Sequence, residues 1–241
     1  MFRNSRNPNP LDWSARCDRL AFESRDHRLK DFYRAFRLQP HTLVRQAGFL
    51  ALDLETTGLD PEHDDIVSIG FIALTHDRIF CNTARNWIIR PDRKPENPQS
   101  TIHGITHDHL ETSPGFGDSL AHVLRAMAGR IMIAHHSRIE REFLAKATMD
   151  LIGEALEFPV IDTMELESRK HPVFRPNAIQ RWLGDKNSPS LRLCHSRERY
   201  GLPRYRPHHA LTDALATAEL FMAQVADRFS PDTPVCDLWQ P

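Results

Sequence analysis

The sequence predicts an α/β domain built on a mixed β-sheet. Apolar stretches of strand length come first, at 49–52 and 66–74, and shorter buried strands at 131–134 and 159–161 then alternate with helical stretches. Strands followed by alternating helices and strands are typical of a mixed sheet flanked by helices. A chain of 241 residues with an apolar fraction of 40% can bury the core of one large domain.

The elements of this domain follow in order from about residue 47. Ile66–Leu74 has apolar or small residues on both faces, which predicts a buried second strand. A turn at 75–77 leads into a hairpin partner that starts at 78–82 and continues at 87–89. Two glycines close predicted helices. The predicted helices are 119–128, closed by Gly129, then 138–148, then 191–200, closed by Gly201, and finally 209–228.

Two segments flank the main domain, so we divide the chain into an N-terminal extension at 1–46, a domain at 47–229 and a C-terminal tail at 230–241. The first ten residues are rich in Asn, Pro and Arg and are predicted to be disordered. Apolar residues then recur at helical spacing, which predicts one or two amphipathic helices before Pro40. The tail is predicted to be extended, with Trp239 docked on its own domain.

Composition narrows the class of protein. The sequence has neither an apolar run of about 18 residues nor an apolar signal region at its start, which predicts a protein without membrane contact. The four cysteines are widely spaced and form no Cys-x-x-Cys pair, which is typical of a reducing compartment. We therefore predict a cytoplasmic protein.

The distribution of charge is more informative than the net charge of −1. Residues 1–47 carry a net charge of +5 and residues 165–206 one of +6, so the remainder is acidic. An acidic centre flanked by basic segments suits a metal-dependent enzyme acting on a phosphodiester. Solvated helix faces give similar counts and are the alternative.

The clearest chemical signal is a pair of acids at the end of the first strand. Asp53 and Glu55 follow an apolar run and are two residues apart, so they project from the same face. Buried neighbouring carboxylates repel each other and lose hydration. A divalent cation is the simplest partner for both, and ordinary strand-end acids in a solvated loop are the alternative.

Three further stretches place acids or histidines where elements begin. Glu140 falls on the first turn of a helix, where a favourable interaction with the helix dipole is the alternative explanation. His208 precedes the last helix and Asp213 lies within it, on a stretch rich in alanine that can approach the sheet closely. A solvent-facing Asp213 is the alternative. The loop at 100–106 contains a glycine that lets backbone approach a ligand, and a plain surface turn is the alternative.

Taken together, these segments resemble the DEDDh family of 3′–5′ exonucleases, which includes the proofreading subunit of the bacterial replicative polymerase and RNase T. The first motif is Leu-Asp-Leu-Glu-Thr-Thr-Gly-Leu at 52–59, and the last is His-His-Ala-Leu-Thr-Asp-Ala at 208–214. The segments at 103–106 and 161–163 match in order and approximate spacing. The resemblance runs from about 48 to 226 and implies a ribonuclease H-like fold.

The resemblance also implies a set of roles in a two-metal-ion mechanism with Mg²⁺ or Mn²⁺. Asp53 would bridge the two ions, and Glu55 and Asp213 would complete one of them. Glu140 would act through a metal-bound water on the second ion, and His208 would be the general base, since histidine exchanges protons near neutral pH.

His209 is the alternative to His208 as general base. Further residues are expected to bind the 3′-terminal nucleotide. The expected substrate-binding residues are Thr56, Thr57, His103, Ile105 and His135. The basic stretch at 169–206 is the expected track for the upstream strand.

The middle motif departs from the family. The family sequence Ala-His-Asn-Ala-x-Phe-Asp is here Ala-His-His-Ser-Arg-Ile-Glu at 134–140, so Glu140 replaces an Asp. The extra methylene still lets the carboxylate reach a metal-bound water, with altered geometry. A weakened or lost nuclease is the alternative.

We expect a single-stranded nucleic acid 3′ end as substrate, with DNA favoured over RNA. An RNA 3′-end exonuclease and a catalytically weakened nucleic-acid-binding module are the alternatives. A polymerase or a second copy of the chain is the expected protein partner. The sequence ends soon after the last predicted helix, so we expect no long polymerase-binding extension.

Overall fold

A five-stranded mixed sheet forms the centre of the computed structural model, which describes residues 11–93, 104–170 and 190–240. The strands lie in the order β3-β2-β1-β4-β5. β1 pairs antiparallel with β2 and parallel with β4, while β3 extends the antiparallel half and β5 the parallel half. The strands are β1 Phe49–Thr56, β2 Ile66–Leu74, β3 Arg85–Ile88, β4 Ile131–Ala134 and β5 Val160–Asp162. The predicted α/β class with a mixed sheet is confirmed.

Helices and buried side chains cover both faces of this sheet. All nine residues of β2 are buried, as their apolar and small side chains predicted. The helices are α1 Trp13–Glu23, α2 His27–Ala35, α3 His107–Thr112, α4 Phe116–Met127, α5 Arg138–Ile152, α6 Thr163–Lys170, α7 Leu193–Arg199 and α8 Ala210–Arg228. The longest helix, α8, packs on β1 and β2, with the rings of Phe49 and Phe221 5.0 Å apart.

Several details differ from the sequence prediction. The hairpin partner of β2 is interrupted, because Cys81–Thr83 forms a 3-10 helix and only Ile79 bridges back to Leu74 before β3 begins at Arg85. Helices α3 and α6 were not predicted. Both are short, and α6 begins directly after β5, where periodicity has too few residues to be visible.

The flanking segments share the core of the central domain. The predicted N-terminal helices are two, α1 and α2, and Trp13 and Tyr33 on them are buried. Residues 230–240 lie against residues 40–45, through Val44 N–H to Thr233 O and Cys236 N–H to Pro40 O. Trp239 is only 3% exposed, so its predicted docking on the same chain is confirmed.

The prediction that 230–241 is extended is wrong in part, because Val235–Asp237 forms a 3-10 helix. The domain limits at 46/47 and 229/230 stay a prediction, and the expected disorder of 1–10 lies outside the described residues. Among the helices of the described ranges, none is both long and apolar enough to cross a membrane.

Candidate active site

Asp53 and Glu55 lie on the face of β1 that α8 covers. Asp53 is paired with Gly70 of β2, and Glu55 with Ser68. The pairing register shifts at a bulge between Glu55 and Thr56, where the strand ends. Bulges of this kind redirect side chains next to functional sites. The two small partners on β2 leave room above the acids for another element.

Helix α8 fills that room and brings in Asp213. Its first residues touch Gly70 so closely that a Cβ built there would lie 2.1 Å from the Ala210 carbonyl carbon and 2.2 Å from the Leu211 nitrogen. The absence of a side chain at Gly70 therefore sets how near the helix start comes to β1. One turn further on, Asp213 is buried, with 8% of its surface exposed.

Asp53, Glu55 and Asp213, which we call the acidic cluster, offer carboxylate oxygens that all lie within 4.8 Å of one another. No other set of three His, Cys, Asp or Glu side chains in the described part of the chain lies so close. Burial raises the pKa of Asp53 well above its usual range, and the charges of Glu140, Asp213 and Glu55 add to the rise. Burial also raises the pKa of Asp213. The cluster is electrostatically unfavourable without a counter-charge.

Glu140 stands next to the acidic cluster without being one of its three members. It projects from the first turn of α5, is 3% exposed, and its Oε2 atom has no hydrogen-bond donor among the described residues. Burial raises its pKa to about 8, and Asp162 adds to the rise. Among the neighbouring charges, that of Glu140 contributes most to the rise of the Asp53 pKa.

A turn between β4 and α5 determines where Glu140 lies. His136 has a positive φ of 73°, which is rare for a residue with a Cβ, and Ser137 follows as the N-cap of α5. The carboxylate of Asp162 accepts hydrogen bonds from both backbone N–H groups, at 3.0 and 2.9 Å. It also accepts one from Met164 N–H at the start of α6. Asp162 therefore joins β4 and β5 beneath the site.

His208 lies in the turn before α8, where it also has a positive φ, of 67°. Its backbone N–H donates to Asp213 Oδ2 at 2.8 Å, and that of His209 donates at 3.1 Å. The side chain of His208 is exposed. The side chain of His209 caps α8, where its Nδ1 accepts from Thr212 N–H at 3.4 Å. This capping role separates His209 from the competing role of base.

The residues predicted to bind substrate have different surroundings. The Thr56 hydroxyl donates to Gly58 O, and the Thr57 hydroxyl donates to Asp64, so both shape the loop after β1. Ile105 is half-buried before α3, and His103 lies outside the described residues. The contact of these residues with substrate stays a prediction.

Both ring nitrogens of His135 are engaged within the protein. Nδ1 lies 2.9 Å from Thr163 Oγ1 and Nε2 lies 2.8 Å from Leu191 O. His135 therefore holds the chain where it returns towards α7, and its predicted substrate contact would require these bonds to open.

Sequence reasoning missed Tyr205. Its hydroxyl hydrogen-bonds the Asp213 carboxylate, which opposes the rise of the Asp213 pKa. Its ring lies 5.1 Å from the guanidinium carbon of Arg197, and that guanidinium donates to Ala216 O at 2.6 Å. An isolated tyrosine in a basic loop carries no motif, so only the geometry reveals this contact.

The side chains gathered at the site are suitable ligands for a hard divalent cation. All of them are carboxylates, the ligands that Mg²⁺ and Mn²⁺ prefer over nitrogen or sulfur. The buried Glu140 Oε2, which has no donor within the described residues, is the kind of atom that a cation would satisfy.

Comparisons with known proteins agree with this geometry. The family model RNase_T, described as "Exonuclease", matches residues 50–221, which is more than half of the chain. The match includes every member of the acidic cluster as well as Glu140 and His208. The predicted enzyme class, a 3′–5′ exonuclease acting on phosphodiester bonds, agrees with this family.

Two relatives named as DNA polymerase III proteins are similar over about three quarters of this chain. The DNA polymerase III subunit epsilon of Treponema pallidum is 31% identical over 178 residues, which are 74% of this chain and 76% of that protein. The PolC-type DNA polymerase III of Thermotoga petrophila is 32% identical over 176 residues, which are 73% of this chain. The chain spans only 12% of the length of that PolC-type relative.

Solved structures share the fold. The nuclease domain of 3'hExo, described as a DEDDh family member bound to rAMP, has a TM-score of 0.60 at 18% identity, over 80% of this chain and 96% of that chain. Exonuclease X in complex with 5' overhanging duplex DNA has a TM-score of 0.56 at 20% identity, over 77% and 96%. The predicted ribonuclease H-like fold is thereby confirmed, and the chain belongs to the RNase_T exonuclease family.

Proposed function

We propose that this chain is a metal-dependent exonuclease that removes nucleotides from the 3′ end of single-stranded DNA and releases nucleoside 5′-monophosphates. The observation that carries the proposal is the acidic cluster, whose three carboxylates come within 4.8 Å of one another. The family match gives the reaction class, and the cluster provides the charge that this reaction needs.

The residues that would hold two Mg²⁺ or Mn²⁺ ions are the acidic cluster and Glu140. When bound, such ions neutralise charge on the phosphoryl oxygens and lower the pKa of water. In the chain itself, the N–H groups of His208 and His209 fix one Asp213 oxygen, Oδ2. Among the described residues no group donates a hydrogen bond to Glu140 Oε2, so this atom would be available to a cation.

His208 acts as the general base in this proposal. Its exposed side chain lies in the turn that leads directly to Asp213, so the imidazole can face both solvent and substrate. An imidazole nitrogen takes the proton that the attacking water releases, and the 3′ oxygen of the preceding nucleotide leaves with a proton from solvent. The positive φ of His208 directs the turn so that its N–H points back at Asp213 while the side chain points out.

The choice of DNA rests on the relatives at 31–32% identity, which are named as DNA polymerase III chains. Exposed arginines in the segments on either side of α7 support binding of a nucleic acid backbone, since phosphate contacts from such residues are independent of sequence. These are Arg192, Arg204 and Arg206. The name of the Treponema pallidum relative, a subunit of DNA polymerase III, supports a polymerase as the protein partner.

The test is strand shortening by purified protein with single-stranded DNA and RNA oligomers side by side, in Mn²⁺, Mg²⁺ or EDTA. We expect a ladder that shortens from the 3′ end of DNA with a divalent cation, and loss of this activity in Asp53→Ala and His208→Ala. Wild-type rates in either variant would contradict the assignment of roles. A faster rate on RNA would replace DNA by RNA as the substrate.

A further inference from the structure

The position of Glu140 depends on a strained backbone conformation in the preceding turn, which neighbouring residues must stabilise. The left-handed conformation of His136 costs free energy because the residue has a Cβ, and it persists only where its surroundings stabilise it. Asp162 supplies part of that enforcement through the N–H groups of His136 and Ser137. Side-chain contacts around Ser137 supply the rest.

Gln240 reaches this turn from the far end of the chain. Its Oε1 lies 2.9 Å from the Ser137 hydroxyl, which is also 3.0 Å from Asp162 Oδ2 and can donate to either oxygen. Its Nε2 donates to Glu165 Oε2 at 2.5 Å and lies 3.5 Å from Asp162 Oδ2. One neutral amide thus offers an acceptor to the serine and donors to two carboxylates.

Three contacts hold the backbone of Gln240 in place. Its N–H donates to Val160 O of β5 at 2.9 Å, and its carbonyl accepts from Trp13 Nε1 of α1 at 3.1 Å. The preceding Trp239 is buried in the core. The edge strand, the N-terminal extension and the 230–240 segment therefore meet at one residue, and the side chain of Gln240 is directed at the N-cap of α5.

We propose that Gln240 is a positioning residue of the exonuclease site, which locks the turn at His136–Ser137 and so fixes the carboxylate of Glu140. The inference rests on the proposed function for its effect on catalysis. Glu140 lies three residues beyond Ser137, so a rotation of the N-cap moves the first turn of α5 and the Glu140 side chain with it. Residues that orient metal ligands through hydrogen bonds typically change metal affinity or activity 10–100-fold when removed.

The test compares Gln240→Ala and Gln240→Glu with a matched control in the same segment, Asp232→Ala. Asp232 pairs with Arg45 on the surface, away from the turn. We expect Gln240→Ala to lower kcat about tenfold with KM within twofold of wild type, and to weaken Mn²⁺ binding about tenfold by calorimetry. Gln240→Glu adds a negative charge beside Asp162 and Glu165, so its losses in kcat and in Mn²⁺ affinity should exceed those of Gln240→Ala. The control should match wild type.

Hydrogen exchange of peptides covering residues 134–143 provides a readout that does not depend on activity. We expect faster exchange in Gln240→Ala confined to this stretch. If Gln240 acts through the serine, the Ser137→Ala variant should show the same losses, and the double variant should be no worse than Ser137→Ala alone.

The outcomes separate the two proposals. Wild-type kcat, Mn²⁺ affinity and exchange in Gln240→Ala would overturn the positioning role while leaving the exonuclease proposal intact. Faster exchange throughout the protein, without a local change, would also overturn it, since Gln240 would then serve stability alone. An inactive wild type, with local exchange and Mn²⁺ affinity still altered in Gln240→Ala, would reject the exonuclease proposal and support the positioning role.

Discussion

Replacing Gly70 by alanine should move α8 away from the sheet and so open the acidic cluster. Gly70 is the β2 partner of Asp53, and the backbone of Ala210 and Leu211 lies directly above it. Asp213 is on the same helix, one turn further along. The variant therefore perturbs the distance between Asp53 and Asp213 without changing any carboxylate.

The size of the effect follows from the contact distances. The new Cβ would start 2.1 Å from the Ala210 carbonyl carbon, whereas ordinary contact begins near 3.4 Å, so the helix start must shift by about 1 Å or more. The three nearest atoms, two of Ala210 and one of Leu211, are all backbone atoms, so no side chain can rotate away. A 1 Å misplacement in an active site can cost about 10²-fold in rate. Overpacking also costs about 1–3 kcal/mol of stability.

The assay measures shortening of single-stranded DNA by Gly70→Ala at a temperature below its melting transition. Gly48→Ala is the matched control, because a Cβ there meets only Arg130 Cγ, at 3.9 Å. We expect about a 100-fold lower rate for Gly70→Ala and a rate within twofold of wild type for Gly48→Ala. An unchanged rate in a folded Gly70→Ala protein would refute the argument that this close approach sets the geometry of the site.

The remaining predictions concern pH, metal and packing. The hydrogen bond from Arg28 lowers the pKa of Asp26, which caps α2, to about 2. The stabilisation of the folded state by ionised Asp26 is therefore present above about pH 4 and is lost towards pH 2. Asp26→Ala should be about 1 kcal/mol less stable than wild type at pH 7, and this difference in stability should disappear in acid. A gap that stays constant in urea titrations would contradict this. Burial raises the pKa of Asp53 and raises that of Glu140 from about 4.5 to about 8, so the metal-free protein should lose stability as the pH rises from about 4.5 to about 8. Mn²⁺ at about 100 times its Kd should restore about 2.7 kcal/mol by calorimetry, and no rise in Tm would count against a cation site. Trp239→Ala should lower the free energy of unfolding in denaturant by about 3 kcal/mol, because the side chain is buried. The control Leu59→Ala changes a side chain that is 81% exposed and should leave the free energy of unfolding almost unchanged. Equal losses in the two variants would contradict the docking of the 230–240 segment.

Much of the fold could be predicted because its strands and long helices carry strong local patterns. The limits predicted for β2 and β4 coincide with those observed, and α5 and α8 start within one residue of their predicted positions. The 3-10 helix at 81–83 could not be predicted. Strand-like residues there are overridden by tertiary contacts, including the Thr83 hydroxyl, which accepts from Ala73 N–H.

The motif residues could be found from sequence, but the geometry that unites them could not. Asp53 and Asp213 are 160 residues apart, and their approach depends on the register that places Gly70 opposite Asp53. Register is a property of two paired strands, so one sequence pattern does not contain it. The ion pair of the buried Arg197 on α7 with Glu219 on α8, at 2.7 Å, is likewise a contact between two elements that no single sequence pattern contains.

The role of the acidic cluster is best tested by product release from a 3′-labelled single-stranded DNA oligomer, in Mn²⁺ and in EDTA, by wild type and Asp213→Asn. We expect labelled nucleoside 5′-monophosphate from wild type with Mn²⁺ only, and a rate at least 100-fold lower from Asp213→Asn. Release at the same rate in EDTA, or from Asp213→Asn, would contradict the claim that the acidic cluster is a metal-dependent exonuclease site.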